Sequence, residues 1–306
     1  LAKFARRAAL LLLVLAAVVF FLPAEKAPRT GQWLVRAGLE PHVIRVGRFD
    51  LNYIRTGHGP SVVLIHGLAS SIYSWSDVVG PLSEKFDVTA LDLPGFGASS
   101  QPPDLSFAEL PEAVLGLMDE LRIQKAHLVG SSLGGAVSVA IAARQADRVD
   151  RLVILDSAGF NRQPGERPFM VQVMGSSVAG EIGARLPVRH ALTAATVRSL
   201  FHDQARVTDE RVDEYTGPLL RSGALEALRS LLLSRVDDRS LPDLHAVRAP
   251  TLVVWGRFDP WLPESHADRF VAAIKGARKV VIETGHLPQE ERPAEVTTLI
   301  SDFLIS

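Results

Sequence analysis

Six short, nearly unbroken apolar runs constrain this chain more than any other feature. They are Val62-Val63-Leu64-Ile65, Val88–Leu91, Leu128-Val129, Leu152–Leu155, Leu252–Trp255 and Val280-Val281-Ile282. A strand with one wet face alternates apolar and polar residues. A strand buried on both faces does not, so these runs predict a parallel sheet covered on both sides. Helical patterns separate several of them. Leu110–Leu121 is one. Gly134–Arg144 is small-residue-rich and nearly all apolar, which predicts a buried helix. Pro293–Leu304 starts on proline and places Val296, Leu299, Ile300, Phe303 and Leu304 on one face. His42–Arg55 carries two alternating segments around Gly47-Arg48, the pattern of an antiparallel hairpin. The expected class is α/β: a mostly parallel central sheet flanked by helices.

The alternation stops between Ala158 and Val247. Those ninety residues hold no convincing buried strand, and segments such as Ala224–Val236 have helical spacing. A loop of that length is implausible. The reading is an inserted helical cap at 158–247, dividing a core formed by 42–157 and 248–306.

His127–Gly135 is the most informative stretch for chemistry. It contains G-x-S-x-G as Gly130-Ser131-Ser132-Leu133-Gly134, after an apolar run and before the small-residue helix. A serine at such a corner sits in a strained turn with its hydroxyl exposed at the sheet edge. The helix that follows points N–H groups and its positive dipole end at the same place. Ser132 is the central serine of the motif, and Ser131 is not. A serine hydroxyl needs a base, and the base needs an orienting acid. His286 follows the run Val280–Ile282, and Asp259 follows Leu252–Trp255. All three therefore leave carboxyl ends of parallel strands, where open α/β sheets place their sites. Asp156, at the end of Leu152–Leu155, is the rival acid.

These motifs resemble, in order, those of the α/β-hydrolase fold superfamily in its capped branch, over residues 42–306. His66-Gly67 is similar to the family's oxyanion turn. Asp92-Leu93-Pro94-Gly95-Phe96-Gly97-Ala98-Ser99 is similar to its D-x-P-G-x-G-x-S turn. Gly130–Gly135 resembles the nucleophile elbow, Gly256-Arg257-Phe258-Asp259 the acid loop, and Gly285-His286 the histidine loop. The resemblance implies a triad of Ser132, Asp259 and His286. It also implies an oxyanion hole made by the backbone N–H groups of Leu68 and Leu133. His66 is expected to orient its loop, and Asp92 to shape a turn.

A serine nucleophile separates the chain from relatives with aspartate there, the dehalogenases and epoxide hydrolases. The expected activity is carboxylic ester hydrolysis, esterase or lipase, through an acyl-enzyme on Ser132. The alternative is a carbon–carbon bond hydrolase of ring-fission products, which Ser71-Ile72-Tyr73-Ser74-Trp75 and the cap resemble. Those enzymes usually carry a longer glycine-rich oxyanion turn and a tryptophan after the catalytic histidine. Here the residues are His66-Gly67-Leu68-Ala69-Ser70 and Leu287. An alternative of another class is a non-catalytic, membrane-tethered binding protein on a hydrolase fold. Candidate substrate-pocket residues are Phe160, Phe169, Met170, Met174 and Trp261.

The amino-terminal end differs from the rest. Ala8 to Leu22 is fifteen consecutive apolar residues, preceded by Lys3, Arg6 and Arg7. A basic head before an apolar run reads as a signal anchor or a cleaved signal within residues 1–30. As a helix the run spans roughly 22 Å, short of a hydrocarbon core of about 30 Å, a mismatch that snorkelling and bilayer thinning absorb. Leu22-Pro23-Ala24 is a poor cleavage site. The basic flank predicts a cytoplasmic N-terminus with the bulk outside, in a bacterial-type inner membrane or periplasm. Residues 31–41 read as a linker. Its Trp33, Leu34 and Ala37 form a short amphipathic stretch that either rests on a membrane or packs on the domain.

Composition removes other classes. Cysteine is absent, so disulfides, thiolate nucleophiles and cysteine-based metal sites are excluded. Net charge is −1, which leaves no electrostatic footprint for nucleic acid. Gly95-x-Gly97 lacks a third glycine, and neither a Walker lysine nor H-E-x-x-H occurs. No metal or cofactor is expected. The expected partners are a small-molecule or lipid ester, and the membrane through residues 8–22.

Overall fold

A computed structural model describes residues 28–160, 189–234 and 243–306 of the chain. In order the elements begin α1 (Gln32–Ala37), β1 (His42–Val46), β2 (Phe49–Gly57), β3 (Ser61–Ile65), α2 (Ser76–Ser83), β4 (Asp87–Leu91) and α3 (Glu109–Glu120). They continue with β5 (Ala126–Ser131), α4 (Leu133–Arg144), β6 (Val149–Leu155), α5 (Arg189–Leu200), α6 (Asp209–Leu219) and α7 (Ala224–Leu233). The last are β7 (Thr251–Gly256), α8 (Ser265–Ala273), β8 (Arg278–Ile282), α9 (Pro288–Glu291) and α10 (Pro293–Ile305).

The strands form one eight-stranded sheet in the order β1-β2-β4-β3-β5-β6-β7-β8. β1 and β2 are the antiparallel hairpin, and β2 joins β4 antiparallel. Every pairing from β4 to β8 is parallel. Successive residues of the runs in β3, β5, β6 and β7 feed opposite faces. Val63 and Ile65, with Leu128, Leu152, Ile154, Val253 and Trp255, join one core containing Val114, Leu117, Val137 and Phe270. Val62 and Leu64, with Val129, Val153, Leu155, Leu252 and Val254, join a second containing Val79, Leu82, Val296 and Ile300. This division explains why those runs are continuous: neither face of these four strands meets water, whereas Val280 and Val281 on the edge strand β8 are only half-buried. Between β6 and β7 the described elements are helical.

Residues 31–41 depart from the linker reading. Trp33 is buried and meets Tyr73 edge-on at 6.0 Å between ring centroids. Gly31 and Gly38 bracket α1 in left-handed conformations at φ 80° and 64°, which glycine adopts without a Cβ penalty. The Gly31 N–H donates to Glu214 Oε1 at 2.6 Å, and Arg36 pairs with Glu210, both on α6. Burial pushes the Glu214 carboxyl up to about 7. This segment is therefore docked on α6. Among the described residues no helix is long and apolar enough to cross a membrane; Ala8–Leu22 lies outside them.

Candidate active site

The turn after β5 is built by close packing. A Cβ on Gly130 would strike the Gly134 carbonyl and come within 2.5 Å of Ser138 Oγ. One on Gly134 would strike the Ile65 carbonyl and approach the His66 carbonyl at 2.6 Å. The two glycines let strand, helix and the neighbouring β3 loop converge on Ser132, which adopts φ 52° and ψ −112°. Its N–H donates to the Leu155 carbonyl at 2.9 Å, and its carbonyl accepts from Ala158 N–H at 2.9 Å. The strained backbone is thus held from both sides. Among the described residues four non-glycines have positive φ, and three of them, Ala69, Ser132 and Asp156, lie just past β3, β5 and β6 at this edge. Such strain costs on the order of 1–3 kcal/mol per residue and gathers at functional sites.

His286 Nε2 lies 3.0 Å from Ser132 Oγ, and His286 Nδ1 lies 2.7 Å from Asp259 Oδ2. Asp259 Oδ1 accepts the N–H groups of Trp261 at 2.7 Å and Leu262 at 3.0 Å. Burial works to raise the Asp259 carboxyl, but the His286 charge and the donors around it outweigh burial and hold it below its ordinary value. The Trp261 ring stacks on His286 at 5.8 Å, so this pocket candidate stands at the site. His286 and Asp259 are shielded by protein, while Ser132 is partly exposed. The relay therefore ends on a hydroxyl that a substrate can reach.

Two backbone N–H groups without an acceptor among the described residues lie in the turns next to the serine. Leu133 is the first residue of α4, where an N–H has no intrahelical acceptor. Leu68 follows Gly67, whose position a Cβ would bring to 3.2 Å from Ser132 Cβ. No described residue accepts from the Leu68 N–H. His66 is structural: Nε2 accepts from Leu93 N–H at 3.0 Å, so Nδ1 carries the proton and donates to the Gly67 carbonyl at 2.7 Å. Burial lowers its pKa and keeps it neutral. Asp92 gathers Asn52 Nδ2, Ala98 N–H and Ile72 N–H, and fixes the glycine turn.

Phe160 is half-buried and faces α8. Its ring packs on Phe270 at 4.6 Å and His266 at 5.5 Å, with the Arg269 guanidinium 3.8 Å over its face. It packs against the core beside α8. Phe169, Met170 and Met174 lie outside the described residues.

Two carboxylates escaped the sequence reading, and a third, the rival acid, takes an unexpected place. Pro288-Gln289-Glu290-Glu291 looks like a polar surface turn, yet all four residues are buried. Glu291 accepts the N–H groups of Gly285, His202 and Asp203 at 2.7, 3.1 and 2.9 Å, which fixes the histidine loop. Glu290 accepts the hydroxyls of Ser74 and Tyr215 and pairs with Arg211 Nε at 3.0 Å. Gln289 Nε2 reaches Ser74 Oγ at 2.8 Å and Ser131 Oγ at 3.3 Å. Arg211 and Tyr215 belong to α6, so that helix is tied to α9, just after His286 in the chain. The hydroxyls of the Ser71–Trp75 motif are committed here too: Ser71 accepts from Tyr73 N–H, and Ser74 donates to Glu290. The third carboxylate is the rival acid Asp156, which is fully buried and leaves His286 Nδ1 to Asp259. A carboxyl oxygen of Asp156, one of Asp259 and a ring nitrogen of His286 lie within 4.8 Å of one another, a spacing a cation could bridge. Both imidazole nitrogens are already engaged by Asp259 and Ser132, which favours a proton relay over a metal site.

A family profile described as alpha/beta hydrolase fold matches residues 60–293. The chain belongs to that family. This hydrolase is 37% identical over 275 residues to the dihydrolipoyllysine-residue acetyltransferase component of the acetoin cleaving system of Pseudomonas putida, covering 87% of this chain and 70% of that one. It is 30% identical over 272 residues to 2-hydroxy-6-oxo-6-phenylhexa-2,4-dienoate hydrolase of Comamonas testosteroni, covering 84% and 91%. Among solved structures it is similar to a membrane phospholipase A described as a bacterial virulence factor, with TM-score 0.74 and 28% identity. That likeness covers 99% of the hydrolase and 98% of the other chain.

Proposed function

We propose that the chain is a serine hydrolase of carboxylic esters, with lipid esters as its substrate class. The observation that carries this reading is the unbroken relay from Asp259 through His286 to a partly exposed Ser132. His286 Nε2 takes the Ser132 proton as Oγ attacks the ester carbonyl. Asp259 stabilises the imidazolium through Nδ1. The N–H groups of Leu68 and Leu133 receive the oxyanion. The imidazolium then protonates the departing alkoxide, leaving an acyl group on Ser132. A water, deprotonated by His286, attacks that acyl-enzyme, and the acid leaves as Ser132 regains its proton.

Two features support a lipid ester. Ala8–Leu22 offers a membrane anchor on the same chain, and the likeness to a membrane phospholipase A extends over nearly the whole chain. In this reading residues 8–22 hold the protein in a bacterial-type inner membrane with the hydrolase outside the cytoplasm. The 30% identity to a dienoate hydrolase favours carbon–carbon cleavage as the second reading. Against it stand Leu287 after the histidine and the structural use of Ser71 and Ser74.

Rates on short and long acyl p-nitrophenyl esters, on phospholipid vesicles and on a ring-fission dienoate separate the readings. Long-chain release that rises above the micellar threshold is expected. Turnover of the dienoate alone, or of soluble short esters with no interfacial gain, contradicts the lipid-ester reading.

A further inference from the structure

Two carboxyl groups, not one, stand behind His286. Asp156 follows β6 in a left-handed conformation at φ 42°, and its side chain is excluded from solvent. Its Oδ1 accepts the Gly256 N–H at 2.9 Å, while its Oδ2 has no hydrogen-bond partner among the described residues. It nevertheless lies in the same 4.8 Å cluster as Asp259 and His286. Asp259 is the better-supplied carboxyl: it receives Trp261 N–H, Leu262 N–H and His286 Nδ1. Asp156 receives one donor.

Neighbouring buried carboxyls do not both ionise; one keeps a proton. The proton stays where the anion has fewest donors, which is Asp156. Burial first, and then the Asp259 charge, push the Asp156 carboxyl well above the ordinary carboxylate range, and Glu291 on α9 adds to the same effect. Asp259, His286 and Glu291 are the titratable groups facing it from the acid loop, the histidine loop and α9. A neutral carboxyl needs an acceptor for its O–H, and the carboxylate at hand is Asp259.

We propose that Asp156 is a positioning residue: a carboxylic acid kept neutral beside the triad, whose proton is directed at the Asp259 carboxylate and holds that carboxylate on His286 Nδ1. Asp156 touches no reacting atom; it acts through Asp259. Its position 100 residues before Gly256 in sequence makes it the pin that joins the ends of β6 and β7 at the site. The proposal rests on the reading of Ser132, His286 and Asp259 as the triad.

The test uses fluorophosphonate labelling of the full chain, which needs no knowledge of the physiological ester. Labelling rates are measured across pH for wild type, Asp156→Asn and Asp156→Leu, with thermal melts as the folding control. Asn keeps an acceptor for Gly256 and an N–H donor for Asp259, and it changes no charge. Asp156→Asn is therefore expected to label within about threefold of wild type, with the acid limb of its profile unmoved. Asp156→Leu lacks both functions and is expected to lose roughly tenfold to a hundredfold, the cost of a misplaced catalytic group. If Asp156 were ionised, Asn would remove a negative charge within 4.8 Å of the imidazole nitrogen. The acid limb would then fall by on the order of one pH unit or more. That shift, or an Asn variant as impaired as Leu, overturns the proposal. Should the Leu variant not fold, the Asn profile alone decides. No labelling of wild type overturns the triad reading itself and the proposal with it; labelling of wild type with a shifted Asn profile overturns the proposal alone.

Discussion

Arg211→Met removes the cation that faces Glu290 and keeps most of the apolar stem. In the wild type, Arg211 Nε is 3.0 Å from Glu290, Nη1 donates to the Arg206 carbonyl at 2.6 Å, and Nη2 lies 3.4 Å from Asp77. The guanidinium also sits over the rings of Phe201 and Tyr73, at 5.3 and 5.9 Å. Arg211 and Glu290 are both buried, at 6% and 1% exposure, so solvent cannot replace the lost partner. Breaking a buried ion pair on one side costs about 3–5 kcal/mol. Ser74 and Tyr215 still donate to Glu290, while the Arg206 carbonyl loses a donor, which places the expected loss near 4 kcal/mol at pH 8. The loss is pH-dependent. Burial already raises the Glu290 carboxyl despite Arg211, and removing Arg211 raises it further. An acid whose folded pKa exceeds its unfolded value loses stability as pH climbs from the unfolded value, about 4.3, through the folded one. The deficit should therefore be smaller at pH 5 than at pH 8. Arg211→Met/Glu290→Gln removes the stranded charge and is expected to regain about 2 kcal/mol at pH 8. Urea unfolding of the three proteins at both pH values measures this. A single-variant loss below about 1 kcal/mol, a loss equal at both pH values, or a double variant worse than the single would refute the reasoning.

Other substitutions probe the remaining supports. Gly134→Ala drives a methyl into the Ile65 and His66 carbonyls. It should lower the melting temperature and abolish fluorophosphonate labelling together; a stable, reactive variant contradicts the close-packed elbow. Phe160→Ala should cost about 3 kcal/mol through its lost packing on Phe270 and leave acyl-chain preference unchanged, and an altered chain-length profile would return it to the substrate pocket. Trp33→Ala should expose the face under α1, destabilise the chain and raise protease cleavage near residues 28–39, whereas a neutral outcome contradicts docking of that segment.

Much of the fold is legible in the sequence for a single reason. Val62 to Ile65 is continuously apolar because alternate residues enter two different cores. The elbow is legible because Gly130 and Gly134 have no room for a Cβ, so the residue types at that corner are forced by geometry. His286 and Asp259 are legible because each follows a recognisable apolar run. What stays hidden depends on partners distant in the chain. Glu290 reads as surface charge until Arg211 and Tyr215, more than seventy residues earlier, arrive from the cap. Asp156 reads as an alternative to Asp259 until the fold brings the two carboxyls together. The α1 segment spans six residues, too few for periodicity to reveal, and its burial is set by Tyr73 and α6.

The central claim is that Ser132 is a nucleophile activated through His286. Peptide-mapped mass spectrometry after fluorophosphonate treatment tests it most directly. A single adduct on Ser132 is expected in the folded wild type, absent from Ser132→Ala and reduced by orders of magnitude in His286→Ala. No adduct on folded protein, or an adduct carried by Ser131 with Ser132 untouched, would contradict it.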